Sequence, residues 1–224
     1  MRLTLLLVGA LPSSRVKNRL LSLHRGIDVS KYARVAPIIL SGIREMRLDA
    51  GVTIGPFNVL RNLKRVEMGS NSSVGQWNWI SAAPELSTGV GSATLSLGRE
   101  SALTSRHYID ASGGVVIGKY STIAGVRTTF ITHGIAWGTA EQRARPISVG
   151  DYCLIGSNCS IVPGAVVPDR TVVGMGTTVD RMDQSGLVLG SRGTVVKADL
   201  SGRYFSRLIG YISAVSSERG DSND

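Results

Sequence analysis

An aliphatic residue returns every sixth position from Val149 onward, at Ile155, Ile161, Val167, Val173 and Val179. The fifth place of each six is short or small: Cys153, Cys159, Ala165, Thr171, Thr177 and Asp183. A helix repeats its apolar face near 3.6 residues and a strand near 2. A period of six fits neither alone, but it fits a chain that turns a corner every six residues. Each six then supplies a short strand, one inward anchor and a tight corner, and Gly150, Gly156 and Gly174 stand directly after the anchor where a corner is expected. Stacked coils of this kind bury a continuous core that no single repeat could bury, which makes the chain an all-β solenoid.

The same rhythm recurs upstream, at Ile54 and Leu60, at Met68, Val74 and Ile80, and at Ala111, Ile117 and Ile123. Residues 84–98, PELSTGVGSATLSLG, read as an irregular, loop-rich turn of the coil. The register then fails. Counting sixes from Ile123 expects an anchor at 147, whereas the later series is anchored at Val149. The stretch between, 134–146, is polar and Gly-containing and carries Trp137, Glu141, Arg143 and Arg145, with His133 at its root. A polar excursion from a rigid scaffold is where a functional site is expected.

Twenty-seven glycines and only 5% aromatic residues suit a narrow, regular solenoid better than a bulky core. The net charge of +9 suits a phosphate-rich ligand, an anionic lipid surface or nucleic acid. The basic residues are scattered with no dense Lys/Arg run, so no nucleic-acid partner is expected. Cys153 and Cys159 occupy the same small position of neighbouring units and read as corner packing, with no further ligands at zinc spacing. That usage fits a cytoplasmic setting.

Residues 1–47 read as a basic, helical N-terminal segment. The apolar run Leu3–Leu11 is too short to span a bilayer and has no small-residue cleavage site after it. Beyond Pro12, Arg15, Lys17, Arg19 and Arg25 alternate with Val16, Leu20, Leu21 and Leu23 as in a basic amphipathic helix. It would pack on the open end of the solenoid or touch an anionic membrane surface. The coils are expected over 48–185, followed by a cap helix in GRYFSRLIGYISAV and a tail within 186–224.

The segments IGPFNVL, VGQWNWIS, LTSRHYIDAS, IGKYSTIAGVRTTFITHG, the Pro146-Ile147 pair before VGDYCLIGSN, and YFSRLIGYI resemble the hexapeptide-repeat acyltransferases. They are most similar to the bacterial O-acetyltransferases of capsular and exopolysaccharide sugars. The resemblance implies a left-handed parallel β-helix, a homotrimer, acetyl-CoA as acyl donor and no metal. It implies that His133, in the T-H motif, is the catalytic base, and that His107 and Asp110 of the H-x-x-D motif stand near the same cleft. His107 would touch acceptor hydroxyls and Asp110 would orient a histidine, or both would form a satisfied polar corner. Donor contacts fall by resemblance on Ser157, Met175, Asp180 and Arg181, with Arg143 and Arg145 as further phosphate candidates. Where many members read G-V-P-A-K after the last coils, this chain has GSRGT, leaving Arg192 or Lys197 to substitute. Trp77, Trp79, Trp137 and Arg143 are the candidate acceptor-binding residues; the two tryptophans of QWNW share a face if extended and would stack on a sugar or pack at a subunit interface.

A sugar O-acetyltransferase of polysaccharide or glycolipid synthesis is therefore the leading expectation. N-acylation of an amino or nucleotide sugar uses the same base. A metal-dependent hydratase of this fold needs three histidine ligands, and the chain has only His24, His107 and His133. A non-catalytic binding solenoid would not bind coenzyme A.

Overall fold

A computed structural model of the chain describes residues 2–87, 89–136, 141–191 and 193–199, together with 201, 202, 205 and 208. Its core is a column of parallel coils, three short strands to a coil. The strands stack into three sheets, two of seven strands and one of nine, all parallel except the last strand of the nine. Sheet I begins with Ile27–Val29, sheet II with Arg34–Val35 and sheet III with Ile39–Ser41.

The sixfold rhythm is the spacing of three inward ladders. In sheet I, Val29, Leu48, Met68, Leu97, Ile117, Val149 and Val167 lie in register, each six residues before an anchor of sheet II. In sheet II the ladder runs Val35, Ile54, Val74, Leu103, Ile123, Ile155, Val173 and Val188. In sheet III it runs Leu40, Leu60, Ile80, Ile109, Phe130, Ile161 and Val179. All are buried. Each contributes about 1.5–3 kcal/mol by leaving water, so the stacked ladders carry the stability of the coil.

The corners differ from the expectation. Gly150, Gly156 and Gly174 do not take the left-handed backbone. That conformation falls instead at Tyr152, Asn158, Gly164, Arg170 and Gly176, again every sixth residue. The glycine after the anchor is required by close stacking: a Cβ on Gly156 would lie 2.9 Å from the Met175 backbone nitrogen. The short fifth residues from Cys153 to Thr177 do line the corners, from the inside, each between a turn and the next strand. Cys153, Cys159, Ala165, Thr171 and Thr177 are buried inside the column, and the series ends at Asp183, which is exposed. Both cysteines are free.

The first coil starts at Ile27, upstream of the boundary expected at 48. The step from Val35 to Leu40 is one residue short of six, which hides this coil from a periodicity count. At the other end, Leu187–Leu189 still stacks on Val172–Val173 beyond 185, and Thr194–Lys197 pairs back on it antiparallel. Of the helix and tail expected from residue 202 on, only Gly202, Phe205 and Leu208 are among the described residues, Phe205 buried and Leu208 exposed.

Helices α1 (Arg2–Gly9) and α2 (Arg15–Ser22) pack at the N-terminal end of the column. Ser14 caps α2, its Oγ accepting from the Lys17 backbone amide at 3.0 Å. α2 is two-faced, but the division is not the expected one of basic against apolar, since Lys17 is turned inward and Val16 outward. It buries Lys17, Asn18 and Leu21 and exposes Arg15, Val16 and Arg19. Two excursions interrupt the coils, one at 82–93 with a single 3-10 turn at Pro84–Leu86, and one after Phe130.

Candidate functional site

The second excursion is a two-stranded antiparallel hairpin in which His133–Ala136 pairs with Glu141–Ala144. His133 is its first residue and stands opposite Ala144. The break in register between Ile123 and Val149 thus marks a hairpin rooted at the corner that leaves sheet III.

Asp110, the last residue of the Tyr108–Asp110 strand in the coil before, reaches the same corner. Its Oδ2 lies 2.7 Å from His133 Nδ1. The same oxygen accepts from the Thr132 amide at 2.8 Å and the Thr132 hydroxyl at 2.6 Å. Oδ1 accepts from the backbone amide and the hydroxyl of Ser112. Burial alone would raise the Asp110 pKa, but the bonds from Ser112, Thr132 and His133 outweigh it and hold the carboxyl below its ordinary value. An ionised Asp110 can only accept, so Nδ1 of His133 carries the proton toward it and Nε2 keeps its lone pair. The Asp110 side chain is 6% exposed and that of His133 36%, so a buried carboxylate orients an imidazole that reaches solvent.

Thr132 and Ser112 are the residues that periodicity missed. The Thr132 hydroxyl also accepts from the Gly113 amide at 2.9 Å, which ties the hairpin root to the coil below. The local signals were the T-H dipeptide and the D-x-S spacing, a common side-chain-to-backbone pattern.

His107 requires a correction. It is 2% exposed, inside the corner before sheet III. Nδ1 accepts from the Thr128 amide at 3.1 Å, which leaves Nε2–H to donate to Thr104 Oγ1 at 2.9 Å. Burial pushes its pKa down to about 4. A neutral ring with both nitrogens engaged inside the column cannot reach an acceptor hydroxyl, so His107 belongs to the polar corner and not to the catalytic residues. Asn78 completes that corner, its Oδ1 accepting from the His107 amide at 2.8 Å.

Trp77 and Trp79 do not lie on one extended segment. Trp77 sits in left-handed backbone at a corner, φ 61°, and Trp79 faces outward from the Trp79–Ser81 strand. Both still line one apolar groove. Trp137 lies outside the described residues. Arg143 is on the hairpin opposite Gly134.

Ser157 and Met175 stack in successive coils, the Gly176 amide donating to the Ser157 carbonyl at 3.0 Å. Asp180 and Arg181 are exposed just after Thr178–Val179, at the other side of sheet III, with Asp180 Oδ1 accepting from the Arg181 amide. Between these pairs the outward residues of sheet III are Thr129, Ser160 and Thr178, in register. The structure therefore places the two pairs at opposite margins of a flat shelf of small hydroxyl side chains. His24 lies apart in the N-terminal cap, beside Thr4 and the Leu20 and Leu21 carbonyls. Among the described residues no three His, Cys, Asp or Glu side chains cluster as metal ligands would.

Residues 146–181 match the family described as the hexapeptide repeat of succinyl-transferase, so the column is a left-handed parallel β-helix built of hexapeptide repeats. The chain is also 34% identical over 70 residues to a Bacillus subtilis (strain 168) protein named "Putative acetyltransferase YvoF". That similarity covers 31% of this chain and 40% of the relative's length.

Proposed function

We propose that the chain is an acetyl-CoA-dependent O-acetyltransferase that acylates a sugar hydroxyl in polysaccharide or glycolipid synthesis in the cytoplasm. The observation that carries the reading is the Asp110–His133 pair at 2.7 Å, at the root of a hairpin on a hexapeptide-repeat column. The similarity to an acetyltransferase by name supports the donor class.

His133 Nε2 removes the proton of an acceptor hydroxyl as its oxygen bonds to the thioester carbonyl carbon. The resulting imidazolium is stabilised by Asp110. It then returns the proton to the sulfur as the carbon–sulfur bond breaks, leaving an ester and a free thiol. A general base of this kind contributes about 10²–10⁴-fold in rate. The Thr129–Ser160–Thr178 row offers hydroxyls that an extended amide-containing arm can bond. Ser157 and Met175 would flank it, and Asp180 and Arg181 would hold the other margin, the guanidinium meeting a phosphate. A shelf open to solvent gains a second wall when another copy of the chain packs beside it, which is the physical reason to propose a homotrimer.

The test is calorimetric titration with acetyl-CoA and with coenzyme A, followed by turnover on a panel of sugars and amino sugars. Wild type and His133→Ala should bind the donor alike, while His133→Ala loses about 10²–10⁴-fold in turnover. Absence of binding at millimolar donor would overturn acetyl transfer and leave a non-catalytic solenoid. Acylation of amines alone would move the reading to N-acyl transfer.

A further inference from the structure

We propose that the N-terminal end of the column is a docking surface for an anionic lipid bilayer, on which the protein lies without crossing it. Solenoid ends are ordinarily closed by caps with a polar outer face. Here the cap presents Leu7 (61% exposed), Leu11 (40%), Val16 (67%) and Leu23 (75%) to solvent. On α2 the buried residues Lys17, Asn18 and Leu21 fix the inward side, so Arg15, Val16 and Arg19 share the outward one. Aliphatic side chains interleaved with arginines are the composition of an interfacial helix.

Charge follows the same division. Residues 1–35 hold seven Lys or Arg and a single acidic residue, Asp28, so six of the nine net positive charges sit in this end of the chain. Lys17 is buried, but Arg15, Arg19 and Arg25 are exposed and make no ion pair among the described residues.

A groove of about 410 Å³ continues the apolar surface from the cap onto the column. Ala10 forms one wall, Ile39, Phe57, Trp77 and Trp79 are among the residues that line the rest, and Asn78 is the one polar side chain, with no charged residue contributing. Phe57 and Trp77 both occupy left-handed backbone, at φ 63° and 61°, with ring centroids stacked 4.5 Å apart. Both rings remain half exposed. Tryptophan at the edge of an apolar surface is the side chain that settles at a bilayer's headgroup level.

A second copy stacked end to end would bring one arginine-rich end against another and repel it, and a copy packed beside the column would leave the exposed face of α2 uncovered. A glycan would find few hydrogen-bonding groups on Leu7, Leu11, Val16 and Leu23. An anionic bilayer satisfies both the aliphatic and the cationic parts. Among the described residues no helix is long and apolar enough to cross a membrane.

Docking would present a membrane-anchored glycolipid to the site, because the outward column of sheet III runs in register from Ile39 through Val59, Trp79 and Tyr108 to Thr129. That consequence rests on the acyl-transfer reading; the docking does not, and donor binding is independent of it.

The experiment is co-sedimentation of the full chain with vesicles of phosphatidylcholine alone and of phosphatidylcholine mixed with phosphatidylglycerol. Tryptophan emission is read in a Trp137→Phe background. At low salt, partition into anionic vesicles should exceed that into neutral ones by about tenfold or more, since each basic residue at such a surface contributes about 1 kcal/mol. Emission should shift to the blue as Trp77 and Trp79 enter the interface. Arg15→Glu with Arg19→Glu and Arg25→Glu should remove most of that preference. Val16→Asp with Leu23→Asp should weaken binding through the apolar term, and all these positions are exposed, so the thermal midpoint should hold. Equal partition into both vesicle types, or indifference to both sets of substitutions, would overturn the proposal. So would an emission shift that grows with protein concentration in the absence of lipid, which would assign the surface to a second copy.

Discussion

Asp110 and His133 stand 23 residues apart in sequence on neighbouring coils, yet Oδ2 and Nδ1 are 2.7 Å apart. The distance is set by stacking: the strand containing Asp110 pairs with Thr129–Phe130, and three residues later the chain has turned the corner into the hairpin. Two donors from Thr132 and two from Ser112 fix the carboxylate before the histidine meets it.

Asp110→Asn should therefore cost more than a charge. An amide NH₂ would replace one oxygen that now accepts, leaving donors of Thr132 or Ser112 unpaired in a buried corner. Turnover should fall by about 10²–10⁴-fold with little change in donor affinity. Combined with His133→Ala, the two losses should be far from additive, because the pair acts as one unit. Steady-state kinetics on the single and double variants checks this. Near-additive losses would separate Asp110 from the base.

His107 carries a pH dependence of opposite chemistry. Its ordinary pKa of 6.5 is pushed to about 4 by burial, so the unfolded chain binds a proton that the folded chain refuses. The stability lent by the neutral ring is full above pH 6.5 and is lost as pH falls from 6.5 toward 4. Thermal midpoints measured across that window should drop in wild type. The slope should flatten in His107→Gln, whose amide does not titrate, although the midpoint itself is lower at all pH values.

The inward ladders were legible because an anchor every sixth residue admits few other structures, and the failure of that count before Val149 located the hairpin. The T-H dipeptide pointed to His133. What periodicity could not show was which polar residues meet across coils, because Asp110, Ser112 and Thr132 join through the corner and not through any sequence interval. His107 stayed open between a catalytic residue and a polar corner for the same reason. Its partners Thr104, Asn78 and Thr128 come from three successive coils, and only stacking shows the ring closed on both nitrogens. The first coil was hidden by the short step from Val35 to Leu40.

Gly118 tests the close-stacking role of the glycine after each anchor. A Cβ there would meet the Gly150 carbonyl oxygen at 2.4 Å and carbon at 2.5 Å, and backbone cannot step aside as a side chain can. Gly118→Ala should cost about 1–3 kcal/mol as overpacking does. For a chain of this length that lowers the thermal midpoint by roughly 2–12 °C. Gly89→Ala, where a Cβ meets nothing within 4 Å, should leave it within about 0.5 kcal/mol of wild type. Calorimetry on both variants decides it, and equal midpoints would remove the steric account.

Lys17 holds the N-terminal cap to the column. Its side chain is fully buried, and Nζ donates to the Gly9 carbonyl at 2.7 Å, Leu11 at 2.8 Å and Ala36 at 2.7 Å. Two of these carbonyls lie at and just beyond the end of α1 and the third in the first coil, so one ammonium joins three segments. Lys17→Met keeps the length and the apolar stem but takes the donor from the Leu11 and Ala36 carbonyls, while that of Gly9 keeps the Ile38 amide. Each buried unsatisfied group costs about 1–3 kcal/mol, partly relieved where water can enter. The loss should be local, with protease cleavage between α1 and α2 rising at least tenfold while the midpoint of the column moves little. Global unfolding in step with cleavage would instead make the cap part of the same cooperative unit as the coils.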